Sequence, residues 1–163
     1  MKKSERRTSN TEHPTSKDHM SDVLVLNDGG ARKYDLEERL LEFASAVIDL
    51  SEKLPNTRAG NHVAGQILRS GTSPYPNHAE AESAESRDDF IHKIKICLKE
   101  LRETRRWARL IDCKGWVTND PALATVLDES DELIRIFVSS IRTTRQNALK
   151  QENIARYRSG KDG

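Results

Sequence analysis

Apolar residues recur at helical spacing along most of the chain after residue 34. In residues 35–54 they follow intervals of three and four, the spacing that turns one face of a helix towards a core: Leu36, Leu40, Phe43, Val47, Leu50 and Leu54. Asp35 is suited to cap this helix, and Pro55 ends it. A second apolar face begins with Val63 and Ile67. The pattern predicts two helices joined by a short turn.

Two further helices follow, and each has recognisable ends. Ser86 is suited to cap the third helix, which ends at Gly115 because glycine readily adopts the left-handed backbone conformation of helix ends. Asn119 or Asp120 caps the fourth helix, with Pro121 in its first turn. Four long helices with short connections predict an all-α fold, an antiparallel up-down four-helix bundle.

The stretch "SGTSPYPNHAEA" places Pro74 and Pro76 inside the second helix. A proline in a helix interior removes a backbone hydrogen bond and clashes with the preceding turn, at a cost of about 3 kcal/mol. A helix that restarts avoids this cost, because the first amides of a helix have no partner within it. We therefore predict that helix two is kinked or interrupted at Ser73–Pro76, with Ser73 as the N-cap of the resumed segment.

The polar ends of the chain set the expected domain organisation. Residues 1–33 are rich in Ser, Thr, Asn, Lys and Asp and contain one short apolar run, Val23–Leu26. Such a segment buries too little apolar surface to offset its ordering entropy, so we expect a disordered N-terminal tail. The bundle is expected over residues 34–150. The last helix should fray after Ala148, leaving a frayed or disordered tail over residues 151–163.

Composition fits a helical protein, with 33% charged and only 5% aromatic residues. No segment approaches the roughly 20 apolar residues that span a bilayer, which predicts a cytoplasmic protein. Cys97 and Cys113 fall in one predicted helix, about 24 Å apart along its axis and beyond disulfide reach. We expect both to be free buried thiols.

Residues that support catalysis or metal binding are too sparse to form a site. Asp89 and His92 have the spacing of half a carboxylate-bridged metal site, with His78, Glu80 and Glu82 nearby, but no second pair exists. The chain lacks a Gly-x-Ser-x-Gly motif and a phosphate-binding loop. The sequence predicts no catalytic residues, no metal site and no cofactor, and hence a protein that is not an enzyme.

The net charge of +1 conceals a strong segregation of charge. Residues 35–86 carry a net charge of −5, residues 87–114 carry +4, residues 115–132 carry −5 and residues 133–163 carry +5. A charged partner responds to the local field rather than to the total. Each block is therefore a candidate surface for a partner of opposite charge.

Five cations of helix three form what we call the basic stripe. They recur at intervals of four and three and fall within an arc of about 80° at 100° per residue: Lys95, Lys99, Arg102, Arg106 and Arg109. Glu103 is placed to pair with Lys99 or Arg106. The stripe is a solvated face, a nucleic-acid phosphate site, or a contact for acidic surface such as Asp128–Glu132. Because no aromatic residues interleave the cations, stacking on single strands is not indicated.

Helix three is also apolar on more than one face. Its expected core stripe is Ile94, Leu98, Leu101 and Ala108. Three further apolar residues lie outside that stripe: Ile96, Trp107 and Leu110. A second apolar face on a surface helix indicates an oligomer interface, with a wide core contact as the alternative.

Three segments resemble a known family. They are "RSGTSPYPNHAEAESAESRDDFIHKIKICLKELRETRRW" (Arg69–Trp107), "YDLEERLLEFA" (Tyr34–Ala44) and "DELIRIFVSSIRT" (Asp131–Thr143). They resemble bacterial four-helix-bundle proteins related to the 23S rRNA intervening-sequence proteins. Another relative is the accessory variability determinant of diversity-generating retroelements, which binds reverse transcriptase and nucleic acid. The two prolines at 74 and 76 depart from the family pattern of small or apolar residues there.

The resemblance implies a ring-shaped pentamer and carries over no catalytic residues. Together with the stripe, it favours a non-enzymatic homo-oligomeric scaffold or adaptor that contacts RNA or DNA phosphates. The alternative is a purely protein-binding oligomer that uses the stripe at subunit or partner interfaces.

Overall fold

The structure, a computed structural model, describes residues 36–159. Over this range the chain forms five α-helices: α1 (Leu36–Glu52), α2 (Arg58–Thr72), α3 (Pro74–Glu82), α4 (Arg87–Lys114) and α5 (Pro121–Ser159). α1 packs on α2 and α5, and α4 packs on α2, α3 and α5. Because α2 and α3 together form the second helix of the bundle, the predicted all-α four-helix bundle is confirmed.

The two ends of the chain differ in what the structure describes. The expected N-terminal tail, with its apolar run Val23–Leu26, lies outside the described residues, as does the expected cap Asp35. At the other end, α5 remains helical past Ala148 and continues to Ser159. None of the helices in the described part of the chain is both long and apolar enough to cross a membrane.

The predicted apolar stripes form the core. In α1, Leu40, Phe43, Val47 and Leu50 are at most 1% exposed, and Leu36 at the start of the stripe packs on the core from its edge. They meet buried side chains of the other helices: Ile67 of α2, Ile94, Leu101 and Ile111 of α4, and Leu133 and Phe137 of α5. Each such side chain contributes about 1.5–3 kcal/mol through burial.

The predicted start and end of α4 and the predicted start of α5 are confirmed. The Ser86 hydroxyl accepts a hydrogen bond from the amide of Asp89 at 3.2 Å. Gly115 has φ 60° and ψ 27°, the left-handed conformation expected of a terminating glycine. Of the two candidate caps for α5, Asp120 is the one used, since its carboxylate accepts from the amide of Ala122 at 2.8 Å.

The second helix is interrupted where predicted, but without the predicted side-chain cap. α2 ends at Thr72 and α3 starts at Pro74. Ser73 between them has helical angles, φ −62° and ψ −37°, and its side chain caps no backbone amide. The Asn77 side-chain amide instead donates to the Ser73 hydroxyl at 2.9 Å. Ser73 thus stands at the N-cap position of α3, as predicted, but the predicted capping by its side chain is wrong, because a capping side chain needs an extended backbone.

The two cysteines differ in burial. Both are free, but Cys97 is buried and Cys113 is exposed, so the prediction of two buried thiols is wrong for Cys113. At 100° per residue, position 113 falls on the same face of α4 as the basic stripe, away from the core. Desolvation by burial raises the pKa of the Cys97 thiol to about 12. Cys97 is therefore a core side chain rather than a reactive one.

Candidate nucleic-acid interface

All five residues of the basic stripe are exposed. The opposite side of α4 carries core residues such as Ile94 and Leu101, which are fully buried and fix the helix in the bundle. α4 has 28 residues, so it is a rigid rod of about 42 Å. The stripe from Lys95 to Arg109 covers about 21 Å of this length at 1.5 Å per residue. Because one side of α4 is buried in the core, the cations on its opposite side face the solvent.

The stripe has little neutralising charge within its own chain. Lys99 Nζ lies 3.4 Å from Glu100 Oε1, and the Lys99 side chain remains 74% exposed. Among residues 36–159, no carboxylate lies within ion-pair distance of the other four stripe cations. Exposed pairs of the Lys99 type contribute about 0–1 kcal/mol. The face therefore remains strongly positive.

Glu103 was expected to pair with cations of the stripe, but its carboxylate pairs with a residue of another helix. It pairs with Arg69 of α2 and accepts a hydrogen bond from Trp107 Nε1 at 3.4 Å. Burial acts to raise the pKa of Glu103, but the hydrogen bonds from Arg69 and Trp107 outweigh it and lower that pKa below its usual value. The predicted pairing of Glu103 with Lys99 or Arg106 is wrong, because Glu103 turns towards α2.

The acidic run Asp128–Glu132 is largely paired within the chain. Glu129 Oε1 lies 2.7 Å from Arg39 Nη2 of α1. Asp131 Oδ1 lies 2.6 Å from Nε of Arg105, the cation beside the stripe. Glu132 pairs with Arg135 one turn along α5. The run therefore holds α1, α4 and α5 together and neutralises Arg105, which leaves less acid for a neighbouring subunit.

The three predicted interface residues are not equally exposed. Trp107 is half-buried, packs against the core, and meets the ring of His62 edge-on at 6.1 Å between centroids. This fits the alternative of a wide core contact. Ile96 is half-buried, and Leu110 is 39% exposed. Leu110 is thus the member of the set with most surface left for a neighbour.

A groove that the sequence did not predict lies between the start of α4 and the second half of α5. Its volume is about 560 Å³, and its lining combines cations with apolar side chains: Arg87, Asp88, Ile91, His92, Lys95, Arg145, Ala148 and Leu149. Lys95 is also the first residue of the basic stripe. The stripe was defined on α4 alone, so the contribution of α5 was missed. The net charge of +5 over residues 133–163 was the available signal.

The residues considered for a metal site are not brought together. Within residues 36–159, no group of three or more His, Cys, Asp or Glu side chains is placed to hold a metal ion. His78 is 2% exposed, stacks on Phe137 at 6.0 Å between ring centroids, and has Nδ1 3.8 Å from Glu82 Oε2. His78 is therefore part of the core packing between α3 and α5.

Comparisons with known proteins agree with this architecture. The chain matches the family of the 23S rRNA-intervening sequence protein over residues 32–139. It is similar to a crystal structure, at 1.70 Å resolution, of a protein of unknown function from the S23 ribosomal protein family of Bacteroides thetaiotaomicron VPI-5482. The two are 36% identical, with a TM-score of 0.60, over 66% of this chain and 98% of that one. No curated protein matches. The family match over residues 32–139 and the four-helix bundle show that this chain belongs to the 23S rRNA-intervening sequence protein family.

Proposed function

We propose that this protein is a non-enzymatic, homo-oligomeric scaffold or adaptor that contacts RNA or DNA phosphates through the basic stripe. The observation that carries the proposal is the exposure of five cations on one face of α4, for which residues 36–159 supply a single carboxylate at ion-pair distance. Backbone phosphates bind a row of exposed Lys and Arg side chains through charge and hydrogen bonds alone, with no need for contacts to the bases.

The spacing of the stripe suits a nucleic-acid backbone. Its length of about 21 Å follows from 14 steps of 1.5 Å along the helix, and duplex DNA carries one negative charge per about 1.7 Å of axis. Several phosphates therefore fall within reach of one stripe. Because these contacts involve no base edges, binding should show little sequence preference. Repetition of the stripe in an oligomer, five times in a pentamer, would strengthen weak contacts through multivalency.

Charge reversal within the stripe tests the proposal. We expect the double variant Lys99→Glu/Arg106→Glu to lose binding to a fluorescein-labelled RNA duplex, measured by fluorescence anisotropy, with unchanged oligomer size. The matched control is Arg58→Glu/Lys114→Glu, which changes the net charge equally at exposed positions outside the stripe and away from the second half of α5. The control should bind nearly as well as the wild type.

The same experiment separates the alternative function. If the stripe pairs with acidic surface of a neighbouring subunit, the Lys99→Glu/Arg106→Glu variant should dissociate the oligomer. Light scattering of the variant and the control reports this directly. Dissociation would contradict the nucleic-acid proposal and favour the protein-binding assembly.

A further inference from the structure

The groove between α4 and α5 carries cations on both of its walls. Lys95 and Arg87 come from α4, and Arg145 comes from α5. Its apolar lining consists of Ile91, Ala148 and Leu149. A cleft with cations at its rim and apolar walls concentrates the positive potential, because the walls screen charge less than water does.

The cations of the groove are not neutralised by carboxylates of the described part of the chain. Among residues 36–159, neither Lys95 nor Arg145 has a carboxylate within ion-pair distance. The Arg87 guanidinium donates to the Gln151 side-chain oxygen, a neutral acceptor that holds the cation in place without neutralising it. Asp88 is the acid in the lining, and its position in the first turn of α4 lets it interact with the positive end of the helix.

The opposite end of the α4–α5 seam has a different charge. There Asp131 pairs with Arg105 and Glu132 pairs with Arg135. Acidic side chains of α5 therefore lie beside the Arg109 end of the stripe. Basic side chains of α5 lie beside its Lys95 end. The five stripe residues are not equivalent, and an approaching polyanion is attracted most strongly to the Lys95 end.

We propose that the groove is the principal phosphodiester contact of this protein, so that the bound backbone crosses from α4 onto α5. Arg145 and Arg87 are then nucleic-acid-binding residues in addition to the stripe. The path runs from Lys99 through Lys95 to Arg145, rather than along α4 to Arg109. Two arginines facing one groove can each make paired hydrogen bonds to phosphate oxygens, which lysine cannot. This inference rests on the proposed function and specifies where it operates.

A matched pair of charge reversals tests the path. Arg145→Glu and Arg109→Glu each lower the net charge by the same amount at an exposed site, so a non-specific charge effect would weaken both equally. With the full-length protein and a labelled RNA duplex, we expect Arg145→Glu to lose about tenfold in affinity and Arg109→Glu less than about threefold, in line with the loss of one charged contact. Arg145→Lys should recover only part of the loss, because lysine restores the charge but not the paired hydrogen bonds.

The possible outcomes are distinguishable. Equal losses in the two variants, or a larger loss in Arg109→Glu, would overturn the groove as the principal contact while leaving the proposed function intact. If the wild type itself fails to bind the duplex, the proposed function fails and the groove inference fails with it. A circular dichroism melt of each variant shows that the fold is retained, so a loss in Arg145→Glu reports on binding.

Discussion

Gly71, at the residue scale, allows α1 and α2 to pack directly against each other. A Cβ atom at this position would lie 2.5 Å from Val47 Cγ1 in the core of α1. The adjacent Ser70 is fully buried, and its hydroxyl lies 2.9 Å from that of Thr104 on α4. The serine and glycine of the "SGTS" stretch therefore position α2 against two neighbours, which gives this motif a structural rather than a ligand-binding role.

Replacing Gly71 by alanine should destabilise the protein. The added methyl group overlaps Val47, and overpacking of this kind costs about 1–3 kcal/mol. The matched control is Gly65→Ala in the same helix, where a Cβ meets nothing within 4 Å. The control should stabilise by about 0.5–1 kcal/mol, because alanine is the better helix former. Urea denaturation measures both, and equal stability of the two variants would contradict the close packing at Gly71.

The junction between α2 and α3 is the least regular element of the bundle. Pro74 and Pro76 lack amide hydrogens, so they cannot donate to the carbonyls of Ser70 and Thr72 in the preceding turn. The backbone at Ser73 nevertheless keeps helical angles. The interruption is therefore a loss of hydrogen bonds within a nearly continuous helical path.

Replacing Pro76 by alanine should stabilise the protein modestly. The new amide can donate to the Thr72 carbonyl, while the unfolded chain gains flexibility worth about 0.4–1 kcal/mol, which offsets part of the benefit. We expect a net gain of about 1 kcal/mol, well below the roughly 3 kcal/mol of a proline in a helix interior. Thermal denaturation measures the change. An unchanged or lower melting temperature would show that α2 and α3 are separated by a true break.

Local signals in the sequence predicted the elements well. The cap at Ser86 and the stop at Gly115 each depend on interactions within a few residues, so the sequence carries them directly. The pairing of Glu103 was not predictable in this way. Its partner Arg69 lies 34 residues away and is brought close only by the packing of α2 on α4. The groove was missed for the same reason, since its two walls belong to different helices.

At the scale of the whole molecule, the acidic run of α5 is paired with cations of other helices, whereas the basic second half of α5 lies beside further cations. The acidic run Asp128–Glu132 neutralises Arg39 of α1 and Arg105 of α4. The basic second half of α5 instead lies beside Arg87 and Lys95 of α4, around the groove. A chain with a net charge of only +1 thereby presents a strongly positive surface along one edge.

The predicted oligomer can be tested at Leu110. Trp107 contributes to the core of its own chain, so its replacement would disturb the subunit, whereas Leu110 is exposed. We expect light scattering to show an assembly several times the 18.5 kDa of one chain, with five copies implied by the family resemblance. Leu110→Glu should reduce its size without loss of helicity.

The matched control for Leu110 is Leu149→Glu. Leu149 is 60% exposed and lies outside the predicted interface, so this variant should leave the oligomer intact. A wild type that is a monodisperse monomer at micromolar concentration would contradict the oligomer.

The salt dependence of nucleic-acid binding by the wild-type protein tests the central claim most directly. If the exposed cations contact phosphates, the logarithm of affinity for a DNA duplex should fall linearly with the logarithm of salt concentration, with a slope of about −0.9 per phosphate contact. Four or five contacts per bound duplex would give a slope of about −4 between about 50 and 200 mM salt. Absence of binding at the lower concentration, or an affinity that does not change over this range, would contradict the assignment of the basic stripe to phosphate contacts.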